Sequence, residues 1–359
     1  MDLLKDQYFQ TATLKKLAHE VANVVPDFKL TVFLKAINRA PWVELELMDR
    51  MRKVTDCLRS YLPDDYVEAL KVLREVAPHI EGFDNLIFPD FVQRYGVDFP
   101  DESVPALEQF TELCSSEFAV RPFIERYPSR MFKQLKRWAK SPNMHHRRLA
   151  SEGCRPRLPW ATALKSLKQD PSPIFPVLEL LKADSEDYVR RSVANNLNDI
   201  SKDHPETVIK RVTAWQGSCD ETDWIIKQAC RTLLKQGRPD VLQLFGFAAP
   251  SRIIGTELEF DRSKVEIGQS VQFSCSLRTG NRSLGKLRLE YLVYFIKSNG
   301  QLSPKVFQIS ERLESARQVA IKKRHSFKDL STRRHFPGIH RFEVRVNGVT
   351  KAAGSVKLS

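Results

Sequence analysis

The stretch RRLASEGCRPRLPW, residues 147–160, puts one carboxylate, four arginines, two prolines and a tryptophan into fourteen residues. On a helix Arg148, Glu152 and Arg155 fall at i, i+4 and i+7, so they share a face and Glu152 lies between two guanidinium groups. Gly153 and Pro156 are expected to end that helix. Pro159 is expected to start the next one, which sets Trp160 on a tight corner with its side chain in a fixed direction. A second acid, Glu117, follows Ser115 and Ser116 at an expected helix start. Each residue also has a plain structural role. An exposed helical Glu paired with Arg contributes only about 0.3–0.5 kcal/mol, a Trp packs between repeats, and a carboxylate meets a helix start favourably. In combination they are acids beside an aromatic face, in a basic setting.

The elements that must hold these groups are helical. From residue 1 to 248 apolar residues recur at helical spacing, as in Val67, Leu70, Leu73 and Val76, with Pro173 at another expected helix start and Gly237 at an expected helix end. HRRLASEG (146–153) aligns with RRSVANNL (190–197) when Arg147 and Arg148 are set on Arg190 and Arg191, a shift of 43 residues. IKQACRTLL (226–234) reads as a weaker third copy. Periods near 40 belong to HEAT-type arrays of helix pairs, whose second helices line a concave surface. Asn195 stands where the first copy has Glu152, so the acid belongs to one repeat and the arginines to both.

After Pro250 the period changes to two. Val271, Phe273, Cys275 and Leu277 alternate with polar residues, as do Leu287 to Phe295 and Phe342 to Val346, with breaks at TGNRS, SNGQ and VNGVT. The fold class is therefore a HEAT-like α-helical solenoid, residues 1–248, followed by an immunoglobulin-like β-sandwich, residues 255–359. The sandwich lacks the Cys pair and Trp of antibody-type domains.

Charge separates the parts further. Residues 251–359 hold 21 Lys and Arg against 9 Asp and Glu, and residues 121–170 hold 13 against 3, whereas residues 1–120 hold 13 against 21. Concentrated positive charge suits a polyanion, because each neutralised phosphate releases condensed counterions. Lys322, Lys323 and Arg324 in IKKRH, and Arg333 and Arg334 in STRRHFPG, are expected near strand ends or loops as phosphate contacts. No apolar run is long enough to span a membrane and no secretory signal is visible, so a cytoplasmic location is expected. Six cysteines without ligand spacing read as packing residues, and no metal or cofactor motif is present.

SSEFAVRPFIERYP, HHRRLASEGCRPRLPW, VRRSVANNLNDISKDHPE and WIIKQACRTLLKQG resemble the HEAT-like-repeat DNA alkylation repair glycosylases, the AlkC and AlkD superfamily. The likeness covers roughly residues 5–248, and the added basic sandwich points to the AlkC branch. It implies excision of cationic alkylated bases, such as 3-methyladenine and 3-methylcytosine, from double-stranded DNA, without metal or cofactor. Carried over by motif, Glu117 and Glu152 are the catalytic acids and Trp160 the aromatic face. Arg148, Arg155, Arg190 and Arg191 are then candidate orienting or DNA-backbone residues, and Asp199, one turn beyond Asn195, is a further candidate for the same cleft that reads equally well as a cap or surface acid. A monomer is expected. Two other readings remain open from the residues: a noncatalytic helical scaffold, and a DNA-binding repair accessory that releases no base.

Overall fold

The structure, a computed structural model, describes residues 4–330 and 333–359. Contacts divide the chain into two units, Met1–Ala229 and Cys230–Ser359. The first is helical throughout. It runs α1 (Thr11–Val24), α2 (Leu30–Ile37), α3 (Leu47–Tyr61), α4 (Tyr66–Val76), α5 (Ile87–Tyr95), α6 (Pro100–Leu113), α7 (Val120–Arg126), α8 (Pro128–Trp138), α9 (Met144–Glu152), α10 (Lys165–Gln169), α11 (Phe175–Leu181), α12 (Asp187–Ile200), α13 (Pro205–Trp215) and α14 (Asp220–Ala229). Among the described residues no helix is long and apolar enough to cross a membrane.

Local chemistry sets many of the helix starts. Asp65 caps α4 by accepting from Glu68 N at 3.0 Å, and Asn143 caps α9 by accepting from His145 N at 2.9 Å. Prolines open α6, α8 and α13, where the missing N–H costs no helical bond. α9 packs against α6, α8 and α12, and α12 packs against α14, so the second helices of successive pairs form one layer. Leu149, Val193, Leu197 and Ile225, all fully buried, fill it.

The two copies of the Arg-Arg motif explain the register of this layer. Arg147 donates to the carbonyls of Ser141 and Pro142, and Arg190 donates to those of Asp184 and Ser185. The first arginine of each pair thus clamps the turn that leads into its own helix. Asp184 links the repeats, because its carboxylate accepts from Arg147 Nε at 2.7 Å while its carbonyl takes Arg190.

The third copy departs from this pattern. α14 ends at Ala229, and α15 (Arg231–Gln236) and α16 (Pro239–Leu244) fall in the second unit. Helical spacing alone had assigned these residues to the solenoid. Gly237, at φ +73°, ends α15 as expected, and a Cβ there would stand 2.7 Å from Gly348 Cα, so helix turn and strand turn meet backbone to backbone.

The rest of the second unit is an immunoglobulin-like sandwich of β1 (Ile254–Gly255), β2 (Glu259–Phe260), β3 (Lys264–Val265), β4 (Ser270–Arg278), β5 (Gly285–Ile296), β6 (Leu302–Glu314), β7 (Gln318–Ser326), β8 (Gly338–Val346) and β9 (Val349–Leu358). β4 pairs with β1, β2 and β7 in one sheet, and the other has the order β3-β9-β8-β5-β6. Only the β3–β9 pairing is parallel among the described strands. The alternating residues of β4, β5 and β8 meet between the sheets, where Phe273, Val293 and Phe342 are buried. Each such side chain contributes about 1.5–3 kcal/mol by leaving water.

Candidate active site

Glu117 and Glu152 come from different elements. Glu117 lies in the turn between α6 and α7, and Glu152 is the last residue of α9. What joins them is Arg148. Its Nη1 pairs with Glu117 Oε2 and donates to Ser115 Oγ at 2.6 Å, and its Nη2 stands 3.6 Å from Glu152 Oε1. Ser115 Oγ in turn donates to Glu117 Oε2 at 2.8 Å. The guanidinium carbon lies 5.0 Å from the centre of the Tyr188 ring. Burial works against the charge of Arg148, yet Glu117 and Glu152 hold its pKa above the usual arginine range.

The chain of alternating charges continues inward. Arg155 Nη1 donates to Glu152 Oε1 at 2.6 Å, and its Nε donates to Asp199 Oδ2 at 2.9 Å. Lys202 then meets Asp199 Oδ1 at 3.1 Å. Asp199 of α12 therefore joins the site through Arg155, and Arg155, buried, serves inside the protein. Glu117 Oε1 and Glu152 Oε2 have no hydrogen-bond partner among the described residues, so each acid keeps one oxygen uncommitted.

Trp160 does not sit at a helix start. α9 ends at Glu152, the next helix begins only at Lys165, and Pro159 and Trp160 occupy a turn between them. Trp160 has φ +64°, rare for a bulky residue, and is 69% exposed. Such a conformation persists only where the surroundings hold it. Arg121, 4% exposed, does this: Nη1 donates to the carbonyls of Gly153 at 3.2 Å and Arg155 at 2.8 Å, and Nη2 to that of Thr162 at 2.7 Å. Burial lowers its pKa to about 10, which still leaves it charged at neutral pH. Gly153 permits the close approach beneath, since a Cβ there would fall 2.4 Å from Val120 Cγ1. Trp160 thus stands as one wall of a hollow of about 320 Å³, also lined by Glu117, Glu152, Arg155 and Phe118.

A hollow with two acids, each oxygen pair half committed, and an exposed indole at a fixed angle is what the quoted motif looks like when folded. The family model described as "DNA alkylation repair enzyme" matches residues 114–233, which contain every one of these groups. A protein of Bacillus subtilis (strain 168) called "Uncharacterized protein YhaZ" is 44% identical over 346 residues, 96% of each chain. A solved structure, Pseudomonas fluorescens alkylpurine DNA glycosylase AlkC bound to DNA containing an abasic site analog, is 36% identical over 100% of both chains with a TM-score of 0.93. The chain belongs to the AlkC branch of the DNA alkylation repair family. The model "Uncharacterised protein YhaZ, C-terminal Ig-like domain" matches residues 255–359 of this AlkC-type chain.

The remaining basic candidates divide. Arg190 is spent on the 184 and 185 carbonyls, whereas Arg191 keeps an exposed side chain paired to Asp187 at 2.6 Å. Lys322, Lys323 and Arg324 lie inside β7, an edge strand, rather than at a strand end or loop; Lys322 and Arg324 point outward and Lys323 is half-buried. Edge lysines also block strand-to-strand association, which is a structural use of the same charges. Arg333 lies over the Phe295 ring at 4.6 Å, and Arg334 is exposed; Ser331 and Thr332 of that stretch lie outside the described residues. Cys154, Cys230 and Cys275 are buried, and burial pushes their thiols up, to about 12, 12 and 11. Among the described residues no group of three or more His, Cys, Asp and Glu is arranged to hold a metal. Ser115, Arg121 and Tyr188 were not singled out by spacing, because each acts through the fold: a turn hydroxyl, a guanidinium reaching backbone, and a ring from the next repeat.

Proposed function

We propose that the protein is a monofunctional DNA glycosylase that hydrolyses the N-glycosidic bond of cationic alkylated bases, 3-methyladenine and 3-methylcytosine, in duplex DNA and leaves an abasic site. The observation that carries this reading is the hollow lined by Glu117, Glu152 and Trp160, in which each acid has an uncommitted oxygen. A base bearing a positive charge leaves as a neutral molecule, so its departure needs no general acid. What the site must supply is negative charge for the oxocarbenium-like deoxyribose and an orienting acceptor for water. Glu117 does the first through Oε1, and Glu152 supports it.

Arg148 positions both acids before reaction, so little reorganisation is required as charge develops. The Trp160 face favours a cationic lesion over a neutral base by about 0.5–2 kcal/mol. The likeness to a DNA-bound glycosylase over the whole chain supports the same reading. The outward charges of β7 and of residues 333–334 are the proposed phosphate contacts of the sandwich, and the protein acts as a cytoplasmic monomer.

The test is release of free 3-methyladenine and 3-methylcytosine from methylated duplex DNA by the protein and by Glu117→Gln. Release by the first alone, with DNA bound by both, is expected. Tight binding with no release by either would replace the enzyme with a repair accessory.

A further inference from the structure

The basic block of residues 121–170 is larger than the site it serves. Arg121, Arg147, Arg148, Arg155 and Arg157 are bound within the fold to carbonyls or acids. The remaining charge gathers on and beside α8, which turns Met131, Leu135 and Trp138 inward and leaves one face of Arg and Lys in water. The arginines there have partners. Arg126 meets Asp98 at 3.0 Å, Arg130 meets Asp101 at 2.6 Å, and Arg137 donates to Gln134. Lys133, Lys136 and Lys140 do not: all three are exposed, with no acid or hydrogen-bond acceptor among the described residues. At i, i+3 and i+7 they form a single stripe.

That stripe borders a hollow of about 350 Å³ between α8 and α10. Ile124, Pro128, Phe132, Leu167 and Pro173 make it mostly apolar, and Ser129 and Ser166 add hydroxyls. Asp170 is the one acid in its lining, and Ser172 already takes that carboxylate, donating from N and from Oγ at 2.9 Å each. Lys136 follows Phe132 by one turn of α8, and Lys165, exposed and without a partner among the described residues, adjoins Ser166 on α10, so each wall carries a free lysine. α8 packs on α7, α9 and α11 in the layer of first helices, whereas Glu152 and Asp199 belong to the layer of second helices.

An apolar hollow open to water between free lysines suits a ligand that is apolar at its centre and negative around it. DNA phosphate supplies only the charge and needs no apolar seat. A peptide supplies both. We propose that the α8–α10 surface docks an acidic peptide segment of a partner protein. One large apolar side chain sits on Phe132 and Leu167, and Asp or Glu residues beside it meet Lys133, Lys136, Lys140 and Lys165. The lysines speed encounter, and the seated side chain slows release.

The experiment selects random twelve-residue peptides, displayed on phage, on the full-length protein held in complex with duplex DNA containing an abasic-site analogue, so that the DNA groove is occupied. Enriched peptides are then measured by fluorescence anisotropy at low and high salt, with the unaltered protein, with the double variant Lys133→Glu and Lys136→Glu, and with Phe132→Ala. Thermal melts and base release from methylated DNA accompany each variant. Enriched peptides with several acids around one Phe, Leu or Trp are expected. Either variant should weaken them at least about tenfold, and salt should weaken them as well. The double variant, altered only at exposed side chains, should keep the melt and the base release of the unaltered protein. Peptides that bind the double variant as tightly as the unaltered protein overturn the proposal, as does a selection that enriches no acidic peptide. Weaker duplex binding by the double variant, with no peptide selected, assigns the lysines to nucleic acid and overturns it too.

Discussion

Replacing Arg121 with methionine keeps a long apolar stem and removes the three hydrogen bonds that tie α7 to the carbonyls of Gly153, Arg155 and Thr162. Bonds from a charged donor contribute about 1.5–3 kcal/mol each, so the gross loss is about 5–9 kcal/mol. Against this stands the cost of burying the charge. The lowering of the guanidinium pKa to about 10 corresponds to about 3 kcal/mol at 1.36 kcal/mol per unit. The methionine stem also recovers part of the packing, and the freed carbonyls find some water, so the expected loss is about 2–4 kcal/mol. Urea unfolding followed by far-UV circular dichroism reads that loss directly. Because the same bonds hold the corner on which Trp160 adopts φ +64°, the variant should also lose near-UV signal and base release below its melting range. Arg121→Lys, a point charge without the fork, should recover only a fraction. A midpoint within about 0.5 kcal/mol of the unaltered protein, with base release unchanged, would refute the claim that Arg121 holds the corner.

Gly153→Ala drives a methyl group into Val120, and a loss of about 1–3 kcal/mol in urea unfolding is expected; Val120→Ala in the same chain should return part of it, a positive coupling in a double-mutant cycle. In the sandwich, His325 is buried with Nε2 unpartnered, and burial first, then His335, Arg333 and His340, lowers its pKa to about 3. Its folded value lies below its unfolded value of about 6.5, so the unfolded chain binds the extra proton, and stability falls as pH drops from about 6.5 towards 3 by at most about 5 kcal/mol. Thermal melts of the unaltered protein and of His325→Phe between pH 7 and 4 check this: the variant's curve should be flatter. Removing Lys322 and Arg324 together should reduce the slope of log binding constant against log salt for duplex DNA by about 2, and an unchanged slope would assign those side chains to edge protection alone.

Periodicity made the two architectures legible because burial imposes it: helix faces from Val67 to Val76 and strand faces in β4, β5 and β8 appear in the sequence with the periods they have in the fold. β6 and β9 escaped, since the first is half-exposed along most of its length and the second carries small residues such as Ala352, Ala353 and Gly354. The contact boundary after Ala229 has a physical reason as well. Helical spacing states that α15 and α16 are helices but not what their apolar faces cover. The acids were legible through Arg148, whose i, i+4 relation to Glu152 needs only a helix. Its bond to Glu117, 31 residues away, needs the packing of α9 on α6. Pro159 misled because a proline suits a turn as well as a helix start, and only Arg121, far away in sequence, selects the turn.

The Arg-Arg pairs also describe how a repeat acquires a job. In each copy one arginine is tied to the carbonyls five and six residues before it. That position is occupied by the backbone of its own turn. Its neighbour carries no such duty, so Arg148 organises the acids while Arg191 remains at the surface beside Asp187. Each helix pair therefore holds one arginine fixed by its own turn and leaves the next to take a different partner, Glu117 and Glu152 in one copy and Asp187 in the other.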